Sequence, residues 1–272
     1  MFTKTGFILL YFKTISMFVG LTAACFRSRT ERARLAYISH KLGIFERKPQ
    51  LPSALYRDIL GKNVDVKLTN FDCPFGSQTV DEMELVIISA FVAASNPHSI
   101  VELGTYEGRL TRNLYLNSAP TANILTIDRL EIGQMCSDGK IAGSLIMDLV
   151  DDDKVTMLQA DTRFHDFSAL FGKQDFVVVD ADHSYAGVKR DTEIALKMVR
   201  GRKACIIWHD YGSFPSVTQA VDETAGTFAH LGKFWHIKGT RMACLMQSPA
   251  VGEAGGAAET VEEPFAAGAA VG

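Results

Sequence analysis

From about residue 80 onward, short apolar runs alternate with longer amphipathic stretches, and two of the runs, Phe176-Val177-Val178-Val179 and Cys205-Ile206-Ile207-Trp208, are apolar at every position. A strand with one wet face alternates apolar and polar residues, whereas a strand covered by helices on both sides has no solvent side to mark. The pattern therefore specifies an α/β protein built on a parallel sheet. Strands are expected at 99–103, 123–128, 155–160, 175–180 and 203–208, and helices at 80–94, 108–117, 141–149, 185–199 and 216–228. The last two apolar runs, 233–237 and 241–246, are separated only by Lys238-Gly239-Thr240. Three residues cannot make a parallel crossover but suit a hairpin, so an antiparallel pair is expected to finish the sheet.

The chain divides into an apolar N-terminal segment (1–26), a helical and loop-containing lead-in with the properties of a lid (27–78), the α/β domain (79–247) and an Ala/Gly/Glu-rich tail (248–272) that reads as disordered. With 47% hydrophobic and 22% charged residues in a chain of 272, a wholly disordered, collagen-like or disulfide-framework protein is excluded. A net charge of −3 offers no electrostatic case for nucleic acid as a partner. Residues 1–50 nevertheless carry nine Lys/Arg against two Glu, and the tail carries four Glu and no base. Five scattered cysteines without a CxxC pair indicate neither a disulfide scaffold nor a zinc site and fit a reducing compartment, with Cys205 and Cys244 expected in the core.

Residues 7–26 are almost continuously apolar and about as long as a membrane span, but Lys13 interrupts them. A mid-span Lys costs on the order of 3 kcal/mol before snorkelling. Three readings stay open: a membrane anchor or peripheral contact through residues 1–34, an ordinary packing helix, and a cleaved signal peptide. Arg27, Arg29, Arg32 and Arg34 would keep the remainder in the cytoplasm under the first.

The first expected strand runs into Val101-Glu102-Leu103-Gly104-Thr105-Tyr106-Glu107-Gly108, a loop that opens a helix. Its glycines let backbone approach a ligand, and the helix N-terminus favours negative charge. The GxxxG spacing differs from the GxGxxG of dinucleotide sites, and a tight strand-to-helix turn explains two glycines equally well. Asp128 closes the second strand, where a carboxylate accepts hydrogen bonds from both hydroxyls of a ribose. Asp161 follows the third strand within reach of an adenine edge, a helix cap or loop role being the alternative.

A second constellation is Asp180-Ala181-Asp182-His183-Ser184-Tyr185 after the fourth strand and His209-Asp210-Tyr211 after the fifth. Adjacent strands lie about 4.8 Å apart, so these side chains can converge on one reacting centre or one divalent ion such as Mg²⁺, with the imidazole tilting the choice towards a transition metal. The structural alternative is that Asp182 or His183 caps the next helix and His209 is a hydrogen-bonded loop residue. Trp208 and Tyr211 could line an acceptor pocket, with Trp208 also suited to the core, whereas Arg190 and Asp191 read as surface or packing charges.

In this order, VELGTYEGRLT, LTID, LQAD, FVVVDADHSYAGVKRD and IIWHDYG resemble the class I S-adenosylmethionine (SAM)-dependent methyltransferases, in the small-molecule O-methyltransferase group with a D-G-D/A-H-S-Y segment. The resemblance covers about residues 79–247. It implies a Rossmann-like sheet of order 3-2-1-4-5-7-6 with an antiparallel last strand and helices on both faces. Glu102, Gly104, Thr105 and Gly108 would surround the methionine part of SAM, Asp128 its ribose and Asp161 its adenine, with Asp180 completing the cofactor set. More distantly, the chain resembles the macrocin-type sugar O-methyltransferases. That likeness implies Asp180, His209 and Asp210 as divalent-metal ligands and Asp182 as general base, although His209 and Ala181 replace an Asp and a Gly of the pattern. His183 is the alternative base. The implied reaction is methyl transfer to a hydroxyl of a small-molecule or sugar-like acceptor, in the cytoplasm where SAM is made. Two rivals are a metal-dependent hydrolase on Asp180, Asp182, His209 and Asp210, and a non-catalytic SAM-binding module.

Overall fold

The computed structural model describes Ser16 and residues 47–72, 79–149 and 152–248. The apolar segment at 7–26 (apart from Ser16), Cys25, Cys73 and the tail beyond residue 248 lie outside the described residues. Among the described residues no helix is long and apolar enough to cross a membrane.

Eight strands form one sheet: β1 (Ser53–Ala54), β2 (Ser99–Leu103), β3 (Asn123–Asp128), β4 (Val155–Gln159), β5 (Phe176–Val179), β6 (Ala204–Trp208), β7 (Gly232–Ile237) and β8 (Met242–Gln247), in the order β1-β7-β8-β6-β5-β2-β3-β4. Read from the β4 edge, this is the expected 3-2-1-4-5-7-6 with one strand added, because β1 pairs in parallel with β7. β8 runs antiparallel to both β6 and β7. Among the described residues between 47 and 248, the helices are α1 (Tyr56–Leu60), α2 (Glu82–Ser95), α3 (Arg109–Asn117), α4 (Tyr185–Met198) and α5 (Pro215–Thr227).

Period-2 alternation sends the side chains of each central strand to two separate cores. Val101, Leu103, Val177, Val179, Ile206 and Trp208 face one, with Val188 and Ala195 of α4 and Val217 and Val221 of α5. Ile100, Phe176, Val178, Cys205 and Ile207 face the other, with Leu85, Ile88 and Phe91 of α2 and Leu110 and Leu114 of α3. Both faces are therefore dry, which is why β5 and β6 carry no polar residue. Cys205 and Cys244 are buried as expected. Trp208 belongs wholly to the core, with its indole N–H donating to Thr192 Oγ1 at 2.9 Å, so it lines no acceptor pocket.

The helix expected at 141–149 is not formed: the segment is turns followed by a short 3-10 helix, Met147–Leu149. Its apolar residues have helical spacing, but Gly143 takes a left-handed φ of 68° and its amide donates to Tyr106 O at 2.7 Å. The Leu145 amide donates to Glu107 O at 2.9 Å. The Leu145 amide, which a helix over 141–149 would use internally, and the Gly143 amide thus tie the segment to the loop after β2.

That loop carries the tightest packing at the carboxyl edge of the sheet. Gly104 has φ +101°, and a Cβ built on it would fall 2.2 Å from the Asp180 carbonyl oxygen. Gly104→Ala must either separate the ends of β2 and β5 or strain the backbone. It is expected to cost about 3 kcal/mol, or roughly 6–12 °C in Tm for a chain of this size. Gly133→Ala, at φ +86° with no atom within 4 Å of the new Cβ, should cost only about 1 kcal/mol. Thermal unfolding of the two variants side by side checks this; equal losses would show that φ strain, not the Asp180 contact, dictates glycine at position 104.

Candidate functional site

The carboxyl ends of β2, β3 and β5 open onto a cavity of about 640 Å³ whose lining includes Gly104, Asp128, Asp161, Asp180, Asp182 and His183. Three backbone amides orient Asp128: Thr105 and Tyr106 donate to Oδ2 and Leu130 to Oδ1, all at 3.0 Å. Each carboxylate oxygen keeps acceptor capacity towards the cavity. Thr105 also places its Oγ1 2.6 Å from Thr126 Oγ1. The two loop glycines are required by protein contacts rather than by open space for a ligand. Gly104 abuts Asp180, and a Cβ on Gly108 would come within 2.7 Å of the Ile146 side chain.

Glu102 lies under this loop, 1% exposed, and its Oε2 accepts from Thr111 at 2.5 Å and Thr126 at 2.7 Å. Burial raises its carboxyl from 4.5 to about 8 against the pull of those hydroxyls. Asp161 stands at the mouth and is gripped by the Arg163 guanidinium, with contacts from 2.5 to 3.1 Å that hold it far below the usual carboxylate range. The segment after β3 covers one side of the opening through a Tyr106–Asp138 hydrogen bond and a Lys140–Glu107 pair at 3.2 Å.

Asp182 is exposed on the opposite wall, and its Oδ1 accepts from the Ser184 amide at 2.8 Å. Gly187 in the first turn of α4 makes room for it, since a Cβ there would lie 2.2 Å from Asp182 Oδ2. The His183 ring stacks on Phe214 with centroids 4.7 Å apart, and its Nε2 lies 3.0 Å from Asp210 Oδ2. Burial opposes a charge on His183, but the Asp180 and Asp210 carboxylates prevail and raise it to about 10. Ser184 caps α4 through a 3.1 Å bond from the Gly187 amide, so neither Asp182 nor His183 is the cap residue. Asp191, read from the sequence as a surface or packing charge, is fully buried in α4, where burial raises its carboxyl to about 6.

Behind His183 lies a buried ionic cluster. His209 is 1% exposed, with Nδ1 3.0 Å from Asp180 Oδ1 and 3.6 Å from Asp210 Oδ1, and Nε2 3.0 Å from Glu84 Oε2. Arg241 links Glu84 (Nη2 to Oε2, 2.7 Å) to Asp210 (Nη1 to Oδ1, 3.1 Å). Asp210 itself adopts φ 60°, a left-handed conformation uncommon outside glycine. Asp180, His209 and Asp210 each offer one ligand atom, all within 4.8 Å of one another. One imidazole and two carboxylates fit a divalent cation, the imidazole favouring a transition metal over Mg²⁺. Such an ion would compete with the proton on Nδ1.

Sequence reasoning missed Glu84 and Arg241. One signal was available for Glu84: Asp81-Glu82-Met83-Glu84 is a capping-box pattern, and both of its hydrogen bonds are present. Tyr211 does not reach the cavity. It is fully buried, accepts from the Gln50 and Leu51 amides at 3.1 Å and donates to Asp222 Oδ1 at 2.6 Å, fastening the chain just before β1.

Glu102 generates a pH test. Its folded-state value of about 8 lies above the ordinary 4.5, so the fold binds the proton that the unfolded chain releases. Its stability contribution is full below 4.5 and is lost as pH rises through 8. Glu102→Gln keeps an acceptor for both threonines and removes the ionisation. At about 1.4 kcal/mol per unit, the Tm difference between this variant and wild type should change by roughly 8–16 °C between pH 5 and pH 9. A pH-independent difference would show that Glu102 does not titrate in this range.

Comparisons with known proteins place this geometry in a known fold. Residues 101–211 match the family described as a methyltransferase domain, a stretch that holds the loop after β2, Asp128, Asp161 and both strand-end clusters. No curated protein matches the chain in sequence. The SAH-bound methyltransferase PaMTH1 of Podospora anserina superposes with a TM-score of 0.52 at 14% identity, over 70% of this chain and 93% of that one. The O-methyltransferase TomG of Streptomyces achromogenes, in complex with SAM, aligns at 16% identity over 71% of this chain and 97% of its own, with a TM-score of 0.48. The likeness to PaMTH1, together with the strand order, shows that the chain has the Rossmann-like α/β fold of the class I methyltransferases.

Proposed function

We propose that the protein transfers the methyl group of SAM to a hydroxyl oxygen of a small-molecule acceptor. The observation that carries this reading is the shared cavity: Asp128, fixed by three amides where a ribose would bind, opens into the same space as Asp180, Asp182 and His183. A cavity of about 640 Å³ lies within the usual range for a ligand of this size. Asp161 flanks the adenine end, and the backbone of Gly104 and Thr105 borders the methionine end.

The methyl sulfonium is already activated, so alignment and proton removal are what the chain must supply. The acceptor oxygen attacks the methyl carbon in line, the C–S bond breaks with its electron pair remaining on sulfur, and S-adenosylhomocysteine leaves. Asp182 receives the acceptor proton: it is exposed on the cavity wall, and its Oδ1 accepts from the Ser184 amide. A divalent cation held by Asp180, His209 and Asp210 would act as a Lewis acid that lowers the acceptor hydroxyl's pKa. The hydrolase alternative asks for more ligands than the one three-residue group among the described residues. Dependence on SAM favours a cytoplasmic location.

Calorimetric titration of the full chain with SAM tests the reading. Micromolar binding is expected, weakened about 10- to 100-fold in Asp128→Ala, the range for losing charge-assisted hydrogen bonds of roughly 1.5–3 kcal/mol. Folded wild-type protein that takes up no SAM at millimolar concentration would overturn the proposal.

A further inference from the structure

Glu84 is a fully buried carboxylate that the methyl-transfer reading leaves without a task. It is 0% exposed at the third position of α2, far in sequence from every strand-end residue it touches. A capping box needs only its contact with the Asp81 amide, at 3.0 Å to Oε2. Glu84 does more. Its Oε1 accepts from the Arg241 amide at 2.7 Å and from Arg241 Nε at 3.3 Å, and its Oε2 accepts from Arg241 Nη2 at 2.7 Å and faces His209 Nε2 at 3.0 Å. Burying an ion pair this completely gains little stability over an apolar pair of the same volume. Its geometry, by contrast, has a specific consequence for the site.

A carboxylate can only accept, so the ring nitrogen that faces Glu84 must carry the hydrogen. By the same rule Nδ1, 3.0 Å from Asp180 Oδ1 and 3.6 Å from Asp210 Oδ1, carries a hydrogen while no cation is bound; a cation would displace that hydrogen and leave the Nε2 hydrogen on Glu84. The other arm of Arg241 holds Asp210 Oδ1 at 3.1 Å. One buried bracket thereby fixes the orientation of His209 and the position of Asp210 together. Carboxylates that hydrogen-bond the far nitrogen of a metal-ligating histidine set its tautomer and ring plane in this way.

We infer that Glu84, held by Arg241, is a positioning residue that presents His209 Nδ1 to a divalent cation bound at Asp180, His209 and Asp210. The inference rests on the cation site of the reading above and does not depend on the acceptor. Glu84→Gln is its sharpest probe. The amide is isosteric, yet its NH₂ can donate to His209 Nε2, which drives the ring hydrogen to Nδ1 and blocks the ligand position.

The experiment is a Mn²⁺ titration of the full chain by calorimetry and by electron paramagnetic resonance, with SAM binding measured on the same samples. Wild type is expected to bind Mn²⁺ with an imidazole-nitrogen coupling in the pulsed spectrum. Glu84→Gln should bind it about 10- to 100-fold more weakly, with that coupling lost and SAM affinity unchanged. Arg241→Lys keeps the charge but loses the fork; it should weaken Mn²⁺ in the same direction and serves as the probe if Glu84→Gln does not fold. Unaltered Mn²⁺ affinity and coupling in a folded Glu84→Gln or Arg241→Lys protein would overturn the proposal. So would wild-type protein that binds SAM but no Mn²⁺, an outcome that leaves methyl transfer standing and makes the cluster an ion network alone.

Discussion

The backbone contact between Gly104 and Asp180 governs how the carboxyl edge of the sheet is used. From β2 the chain builds outward through β3 and β4, then returns to the other side of β2 for β5 and β6. Connections on the two sides diverge at that reversal, which is where open α/β sheets form a crevice. At the floor of this crevice the ends of β2 and β5 approach so closely that no Cβ fits between them. Functional groups therefore enter from the rims: Asp128 from β3, the Asp182–His183 loop from β5, and His209 and Asp210 from β6.

Because both faces of the sheet are apolar, the charged groups that follow β5 and β6 gather at this edge, where neighbours neutralise them. The solution is an alternating series, His183, Asp210, Arg241, Glu84, His209 and Asp180, in which each group contacts one of opposite charge. Such a series is rigid because removing one member leaves a buried partner uncompensated. Two residues with left-handed backbone, Tyr106 in the loop after β2 and Asp210 after β6, stand on opposite sides of the same edge. Strain of this kind, about 1–3 kcal/mol per residue, persists where the surroundings over-determine a geometry. Here the clamps are the Tyr106 amide on Asp128 and Arg241 Nη1 on Asp210.

The strands were legible because double burial writes itself into composition: no partly exposed strand would read Phe-Val-Val-Val or Cys-Ile-Ile-Trp. The strand-end acids were legible for the complementary reason, since carboxylates directly after apolar runs stand out. What could not be read depends on contacts between distant segments. Residues 141–149 have helical spacing, and only the acceptors at Tyr106 and Glu107 draw their amides away. Tyr211 looks like a pocket aromatic until the amides of Gln50 and Leu51 are placed against its hydroxyl. Glu84 and Arg241 are 157 residues apart, and no local pattern couples them.

The positions of those distant partners divide the site into two parts. The methyltransferase-domain match ends at Tyr211 and begins at Val101, so it encloses the carboxylates at the cavity but neither Glu84 nor Arg241. It also excludes the lead-in, which β1 docks at the edge of the sheet and which Arg109 anchors by donating to the carbonyls of Asn70, Phe71 and Val80. Val80 and Thr79 line the cavity directly. The matched stretch thus contains Asp128, Asp161 and the strand-end residues Asp180, Asp182, His183, His209 and Asp210. The wall at residues 79 and 80, and the bracket that orients His209, come from flanking sequence. On the proposed reading, two chains with the same motifs between residues 101 and 211 can still differ in the cavity wall and in the partners of His209, because those residues are brought to the carboxyl edge by the sheet and not by the motif.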